Sequence, residues 1–334
     1  MIVEIIVFLL TAILAYFLYL YKWVHHYFDK RGIKYLPGVP IFGNILNSTF
    51  LRNHLFDDLD RVYQAFPGER YVGYIEGTMP ILIIRDPELI KSITIKDFDH
   101  FVDHKEFFSE EVEPLFGGSL IMMKGERWHD MRTTLSPAFT GSKMRKMLPF
   151  MTEISSNIVN HLKEWTQTEL AGQVFIFFVA GYESSATALV MCVHELALNP
   201  DIQEKLYQEI IRFKEEHEQL TYENISTLKY LDGVLNETQR KWAAALIMDR
   251  VCNKPYVLPP PREGGKPVHL KPGDIVYNLV NSIQMDPQYH PNPTKFDPER
   301  FSDENKHNMK PFTYMPFGMG PRNCIASRPP IQLS

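Results

Sequence analysis

The chain has 334 residues, three cysteines and a net charge of −5, with 45% hydrophobic and 22% charged residues. This is globular composition, which excludes a disordered chain, and the length suits one large domain or two modest ones. The acidic balance excludes a basic surface that binds nucleic acid over the whole chain. Cys192, Cys252 and Cys324 lie far apart, with no CxxC spacing and no even count, so neither a zinc site nor a disulfide framework is indicated and a reducing compartment is the simpler reading.

The first element is an apolar run from Ile5 to Tyr21, broken only by Thr11. With its flanks it approaches the about 20 residues that a membrane-spanning helix needs. Tyr16, Tyr19, Tyr21 and Trp23 sit where an interfacial aromatic belt would lie, and Lys22, Lys30, Arg31 and Lys34 follow. Positive charge after the run places the bulk of the protein on the cytoplasmic side. A cleaved signal peptide is the alternative, but the basic start and small-residue cleavage site it requires are missing from the sequence. Residues 1–22 are thus an expected anchor.

Residues 23–50 read as a hinge and linker. Pro37-Gly38-Val39-Pro40 and Gly43 make a stiff, extended connector. Leu55, Leu59 and Tyr63 have helical spacing. Tyr71–Tyr74 and Met79–Arg85 are β-rich runs around Glu76-Gly77 and predict a hairpin. Asp86-Pro87 opens a helix as N-cap and first helical residue. Helical patterns follow over 126–164, interrupted near Thr140-Gly141-Ser142, and over 167–191, 200–217 and 229–242. The apolar stretch 172–192 could pass for a second membrane span. Gly181, Glu183, Ser184, Ser185 and Thr187 interrupt it, so a buried core helix is expected instead. Of 24 prolines, 15 lie after residue 250, which predicts a coil-rich C-terminal third.

The most informative segment is Phe317-Gly318-Met319-Gly320-Pro321-Arg322-Asn323-Cys324. Two glycines and a proline let the backbone approach a flat ligand, and nearby N–H groups and a metal would stabilise a thiolate at its end. Arg322 would bring a cation to a carboxylate. A tight turn with an inert, buried cysteine is the plain alternative. This loop resembles the haem-binding signature of the cytochromes P450, in which Phe317, Gly320, Arg322 and Cys324 match at the required spacing. Other segments resemble that family's motifs in the correct order. Glu237-Thr238-Gln239-Arg240 looks like its helix-K pair, and Phe296-Asp297-Pro298-Glu299-Arg300-Phe301 like its meander, whose arginine joins the pair in a buried structural network. Ala180-Gly181-Tyr182-Glu183-Ser184 is similar to the oxygen-activation motif of its helix I. There Gly181 opens room for dioxygen, Glu183 relays protons and Ser184 supplies a hydroxyl where the family usually has threonine. Trp128-His129-Asp130-Met131-Arg132 matches its helix-C tryptophan and arginine, which share a helix face. Met122 and Met123, just before, are expected to pack.

The resemblance implies a mainly α, cytochrome P450-like fold with a small β region and an N-terminal transmembrane helix, residues 51–334 forming the haem domain. It implies Cys324 as axial ligand to haem iron, Trp128, Arg132, Arg250, Phe317 and Arg322 around the cofactor, and Gly181, Glu183 and Ser184 as catalytic residues. The implied activity is monooxygenation of a small lipophilic substrate, with electrons from NADPH through a partner reductase, at the endoplasmic reticulum membrane and with no nucleic acid involved. Anchor, hinge, Lys241-Trp242 and Asp249-Arg250-Val251-Cys252 look like insect microsomal forms. Three features depart from the family. Only 52 positions separate Trp128 from Ala180, where the family carries the helices that roof the substrate pocket, and the expected joint is near Lys163-Glu164-Trp165. Ala326 replaces a glycine, and Pro329-Pro330 ends the helix expected beneath the haem. An incomplete fold, lacking an internal block and the C-terminal end, is therefore expected, with apolar surface exposed on helix I. The rival reading is a catalytically silent, membrane-anchored remnant.

Overall fold

The computed structural model describes residues 2–107, 109–139, 167–217 and 221–327. The chain forms two compact units. The first comprises residues 1–102 and 246–282, the second 103–245 and 283–334.

In the first unit, helix α1 spans Ile2–Arg31. Its early turns expose their apolar side chains, among them Phe8, Leu10, Leu14 and Tyr19. Its last turns do not, because Val24, Tyr27 and Phe28 are buried. The helix ends at Gly32 in the left-handed region, where the amides of Gly32 and Ile33 return to the carbonyls of Asp29 and Phe28. The Pro-Gly segment that follows is extended, as expected, and it is tied down. Val39 and Gly43 exchange two backbone hydrogen bonds of 2.8 Å, and buried Asn44 bonds through main chain and side chain to Ile75. Gly43 has φ +61°, and a Cβ there would lie 2.3 Å from the carbonyl oxygen of Ile75.

Helix α2 (Leu55–Gln64) buries Leu59, Val62 and Tyr63. The predicted hairpin is present as β1 (Tyr71–Glu76) and β2 (Met79–Ile84), antiparallel with Tyr71 opposite Ile84. Further strands are β3 (Ile247–Val251), β4 (Tyr256–Leu258), β5 (Val268–Leu270) and β6 (Ile275–Leu279). The main sheet has the order β1-β2-β6-β3, with β2 and β6 parallel, and β4 pairs β5 separately. Five of the six residues of β1, and all five of β6, are buried, as strands covered on both faces must be. Asp86 caps the helix Pro87–Lys91 by accepting from the Glu88 amide.

The second unit is helical: α3 (Gly125–Leu135), α4 (Gln167–Leu198), α5 (Pro200–Glu216) and α6 (Lys229–Lys241), followed by irregular chain. Cys192, Ile202, Leu206, Val234 and Phe296 form its apolar core. Glu209 of α5 accepts from the Tyr230 and Leu231 amides (2.8 and 2.9 Å), a carboxylate capping the N-terminus of α6. Met122 and Met123 are buried, as expected of packing residues. The interruption at 140–142 and the joint at 163–165 lie outside the described residues.

One expectation is corrected. Helix α4 is not a buried core helix, because Val174, Phe178, Tyr182, Leu189, Val190 and Val193 are each more than 60% exposed. Among the described residues, side-chain hydrogen bonds hold both its ends. Gln173 exchanges hydrogen bonds with Leu120 and Gly118, and buried Glu195 accepts from Lys241 and Trp242. Apolar surface on α4 is exposed, as expected. By length and composition α4, like α1, could cross a membrane.

Candidate functional site

The second unit brings the cysteine loop against α3. The loop turns on two glycines in the left-handed region, Gly318 (φ +71°) and Gly320 (φ +74°), which side-chain-bearing residues adopt only at a cost. It is closed by the Cys324 amide donating to the Phe317 carbonyl at 2.8 Å and by Asn323 donating to Gly320 at 2.9 Å. Ser327 closes the far side, its amide and hydroxyl both reaching the Cys324 carbonyl. The amides of Asn323, Cys324 and Ser327 therefore go to carbonyl oxygens and not to the sulfur. Cys192 and Cys252 are buried, the usual fate of a free cysteine, whereas Cys324 is exposed. Phe317 is half exposed and Ala326 is exposed.

Arg322 lies inward from the loop, its side chain 2% exposed. Its guanidinium donates to the carbonyls of Met123 and Leu120 (2.8 and 3.4 Å) and covers the ring of Trp128 at 3.9 Å. It thus joins the loop to the start of α3 and fixes the indole. One turn on, Arg132 donates to the Asn323 side chain at 3.0 Å. Burial holds the Arg132 guanidinium below its usual pKa, with the nearby Cys324 acting in the opposite direction. Trp128, His129, Arg132, Thr133 and Pro321 line an open hollow of about 540 Å³. The i, i+4 spacing of Trp128 and Arg132 thus places both at one hollow. The Asn323 link had no signal in the sequence, because a side-chain amide in a loop fits any partner.

Behind the loop lies the expected ion network. Glu237 and Arg240, both 0% exposed, pair through two hydrogen bonds of 2.7 and 2.8 Å. Arg240 also donates to the carbonyls of Gln284 and Pro293, and Glu237 accepts from the Asp297 amide at 2.9 Å. Arg300 stands 3.4 Å from Glu237. Gln284, which the sequence reading did not single out, donates to the carbonyls of Gln239 and Arg240 and accepts from the Met315 amide. The network therefore pins the chain two residues before Phe317.

Gly181, Glu183 and Ser184 stand exposed on α4. A Cβ at Gly181 would meet nothing within 4 Å, and the Ser184 hydroxyl donates to the Ala180 carbonyl one turn back. Arg250 belongs to the first unit, in β3. It is buried, burial lowers its pKa to about 10, and its Nε has no hydrogen-bond partner.

These donors fit a haem. An exposed thiol ends a glycine loop, and no carboxylate among the described residues neutralises Arg132, as a propionate would. In the first unit, the orphaned Nε of Arg250 is suited to an anion as well. A family profile described as Cytochrome P450 matches residues 34–168 and 160–328, nearly the whole chain. The chain belongs to the cytochrome P450 family, whose members carry haem as cofactor. Similar proteins include "Probable cytochrome P450 9f2" of Drosophila melanogaster, 32% identical over 92% of this chain and 87% of that protein. "Cytochrome P450 9e2" of Blattella germanica is 31% identical over 92% and 85%. "Cytochrome P450 6B1" of Papilio polyxenes is 26% identical over 96% and 89%. The first alignment runs over 451 positions, which a chain of 334 residues fills only with a large internal gap. The two family matches meet at residues 160–168, around Lys163-Glu164-Trp165. That is where the block was expected to be missing.

Proposed function

We propose that the chain is a membrane-anchored monooxygenase in which the Cys324 thiolate would hold the haem iron. The single observation that carries this reading is the exposed Cys324 thiol at the end of a loop that Gly318, Gly320 and the Arg322–Trp128 contact hold against α3. Haem, when bound, supplies dioxygen binding and O–O cleavage, favoured by electron density from a thiolate. The overall change places one oxygen atom in a C–H bond of a small lipophilic substrate and releases the other as water. Two electrons come from NADPH through a partner reductase, with two protons from solvent. In this reading Trp128 and Arg132 would hold a propionate, Arg322 holds Trp128 in place, and Phe317 shapes the loop. Gly181 leaves room beside α4, Glu183 relays protons from solvent, and Ser184 turns its hydroxyl away from Ala180 to receive them. Residues 1–22 anchor the protein in the endoplasmic reticulum membrane with the haem domain, 51–334, in the cytoplasm.

A second reading is a catalytically silent relative, and the exposed apolar face of α4 favours it. The carbon-monoxide difference spectrum of the reduced, expressed protein separates the two. A Soret band at the family's red-shifted position supports thiolate-ligated haem, and its absence would sink the active-enzyme reading. Cys324→Ala should abolish the band, and a band that survives refutes the ligand assignment.

A further inference from the structure

In the first unit, the end of α1 and the loop between β4 and β5 surround a hollow of about 580 Å³. Its lining carries Lys30 and Arg31 from α1, Arg262 and Lys266 from the loop and His269 from β5, against one carboxylate, Asp29. Cations at a helix C-terminus have an ordinary explanation, compensation of the macrodipole. That explanation covers Lys30 and Arg31 only. The helix end is already capped by the amides of Gly32 and Ile33, and Arg31 donates to the Tyr27 carbonyl while lying 3.7 Å over its ring. Arg262 and Lys266 come from a distant part of the chain and add charge that the helix end does not need. A tight turn, with Gly264 at φ +72° and the Gly265 amide bonded to Arg262, brings Lys266 back to the hollow. Arg262 is held at 3.1 Å by Glu69, a carboxylate already shared with Lys34. Asp29 accepts from the Tyr35 hydroxyl at 3.2 Å. Lys30 and Lys266 are exposed and have no protein partner among the described residues.

An excess of convergent cations around a hollow binds an anion, and the position along α1 says which. The apolar run ends at Tyr21, and Lys30 stands nine residues on, about 13 Å along the axis. The headgroup layer reaches roughly 5–7 Å beyond the hydrocarbon, and long cationic side chains cover the remainder by extending toward it. We propose that this hollow binds the phosphate of an anionic phospholipid headgroup in the leaflet from which α1 emerges. The proposal rests on reading α1 as a membrane anchor and is independent of haem.

The test places the full chain in nanodiscs of phosphatidylcholine, with or without a minority of phosphatidylserine, and follows lysine acylation residue by residue by mass spectrometry. Lys30 and Lys266 should label about fivefold more slowly with phosphatidylserine, while Lys214 and Lys306 of the second unit keep their rates. Lys266→Gln should return Lys30 most of the way to its phosphatidylcholine rate. Equal labelling in the two discs overturns the site, as does protection of Lys30 that persists unchanged in Lys266→Gln, since surface potential alone would then explain it. Inorganic phosphate protecting equally well in phosphatidylcholine discs assigns the site to a soluble anion and overturns the lipid. A chain that fails to co-float with the discs overturns the anchor reading and the site with it, whereas one that floats and labels equally overturns the site alone.

Discussion

Glu237→Gln removes the charge that balances Arg240 and changes almost nothing in shape. Glu237 is 0% exposed and accepts three hydrogen bonds, two from Arg240 and one from the Asp297 amide. Arg240 keeps the carbonyls of Gln284 and Pro293, so its protons remain partly satisfied. Its charge is then buried without a close counter-ion, and Arg300, 3.4 Å from Glu237, adds a second. Removing one partner of a buried pair typically costs 3–5 kcal/mol. The amide oxygen retains one acceptor, which puts this substitution near the lower end, about 3 kcal/mol. For a cooperative unit of this size that corresponds to a melting temperature lower by roughly 6–12 °C. Circular dichroism melts of the detergent-solubilised chain measure it. The double change Glu237→Met with Arg240→Met should recover much of the loss, because no buried charge remains. A melting temperature for Glu237→Gln within about 2 °C of the parent refutes the account of the network as a buried, mutually dependent pair.

His290 is 1% exposed and its Nε2 lies 3.1 Å from the Thr313 carbonyl, and burial lowers its pKa to about 4. The unfolded chain therefore binds the extra proton between about pH 6.5 and 4, so stability is complete above that window and falls through it by about 3 kcal/mol. Urea midpoints across that range check the slope, and a flat profile refutes it. In the first unit, a Cβ at Gly73 would lie 2.6 Å from the Phe28 ring. Gly73→Ala should thus cost about 1–3 kcal/mol and add almost nothing once Phe28→Ala has emptied the site, which melts of the single and double variants test. Gly43→Ala combines a left-handed φ with a Cβ 2.3 Å from the Ile75 carbonyl. It should cost at least about 2 kcal/mol and speed hydrogen exchange at the Asn44 and Ile75 amides.

The local elements were legible because their signals are local. Asp86-Pro87 supplies its own cap, Glu76-Gly77 its own turn, and Asn199-Pro200 breaks α4 from α5 wherever they sit. The cysteine loop was legible as well, since closely spaced glycines, an arginine and a cysteine constrain one another over eight residues. In the structure Phe178 and Tyr182 are about two-thirds exposed. The sequence pointed both to a core helix and, from the short 128–180 stretch, to apolar exposure on α4. It could not decide between them, because apolar composition is the same whether a face meets protein or not. Nor could it give Arg322 its contact with Trp128, or Gln284 its place between α6 and Met315, since these partners are far apart in sequence.

By itself, then, the sequence determined the helices, the hairpin, the anchor's apolar stretch and the cysteine that marks the family. These depend on short-range sterics, hydrogen bonding and side-chain period. Tertiary structure alone decided the further partners of the buried charges, the Gln284 and Pro293 carbonyls for Arg240, and which residues of α4 stand exposed. It also decided that Arg262 and Lys266 meet Lys30 at the end of α1. Those outcomes depend on long-range packing, where each residue's environment is set by segments that the local sequence does not specify.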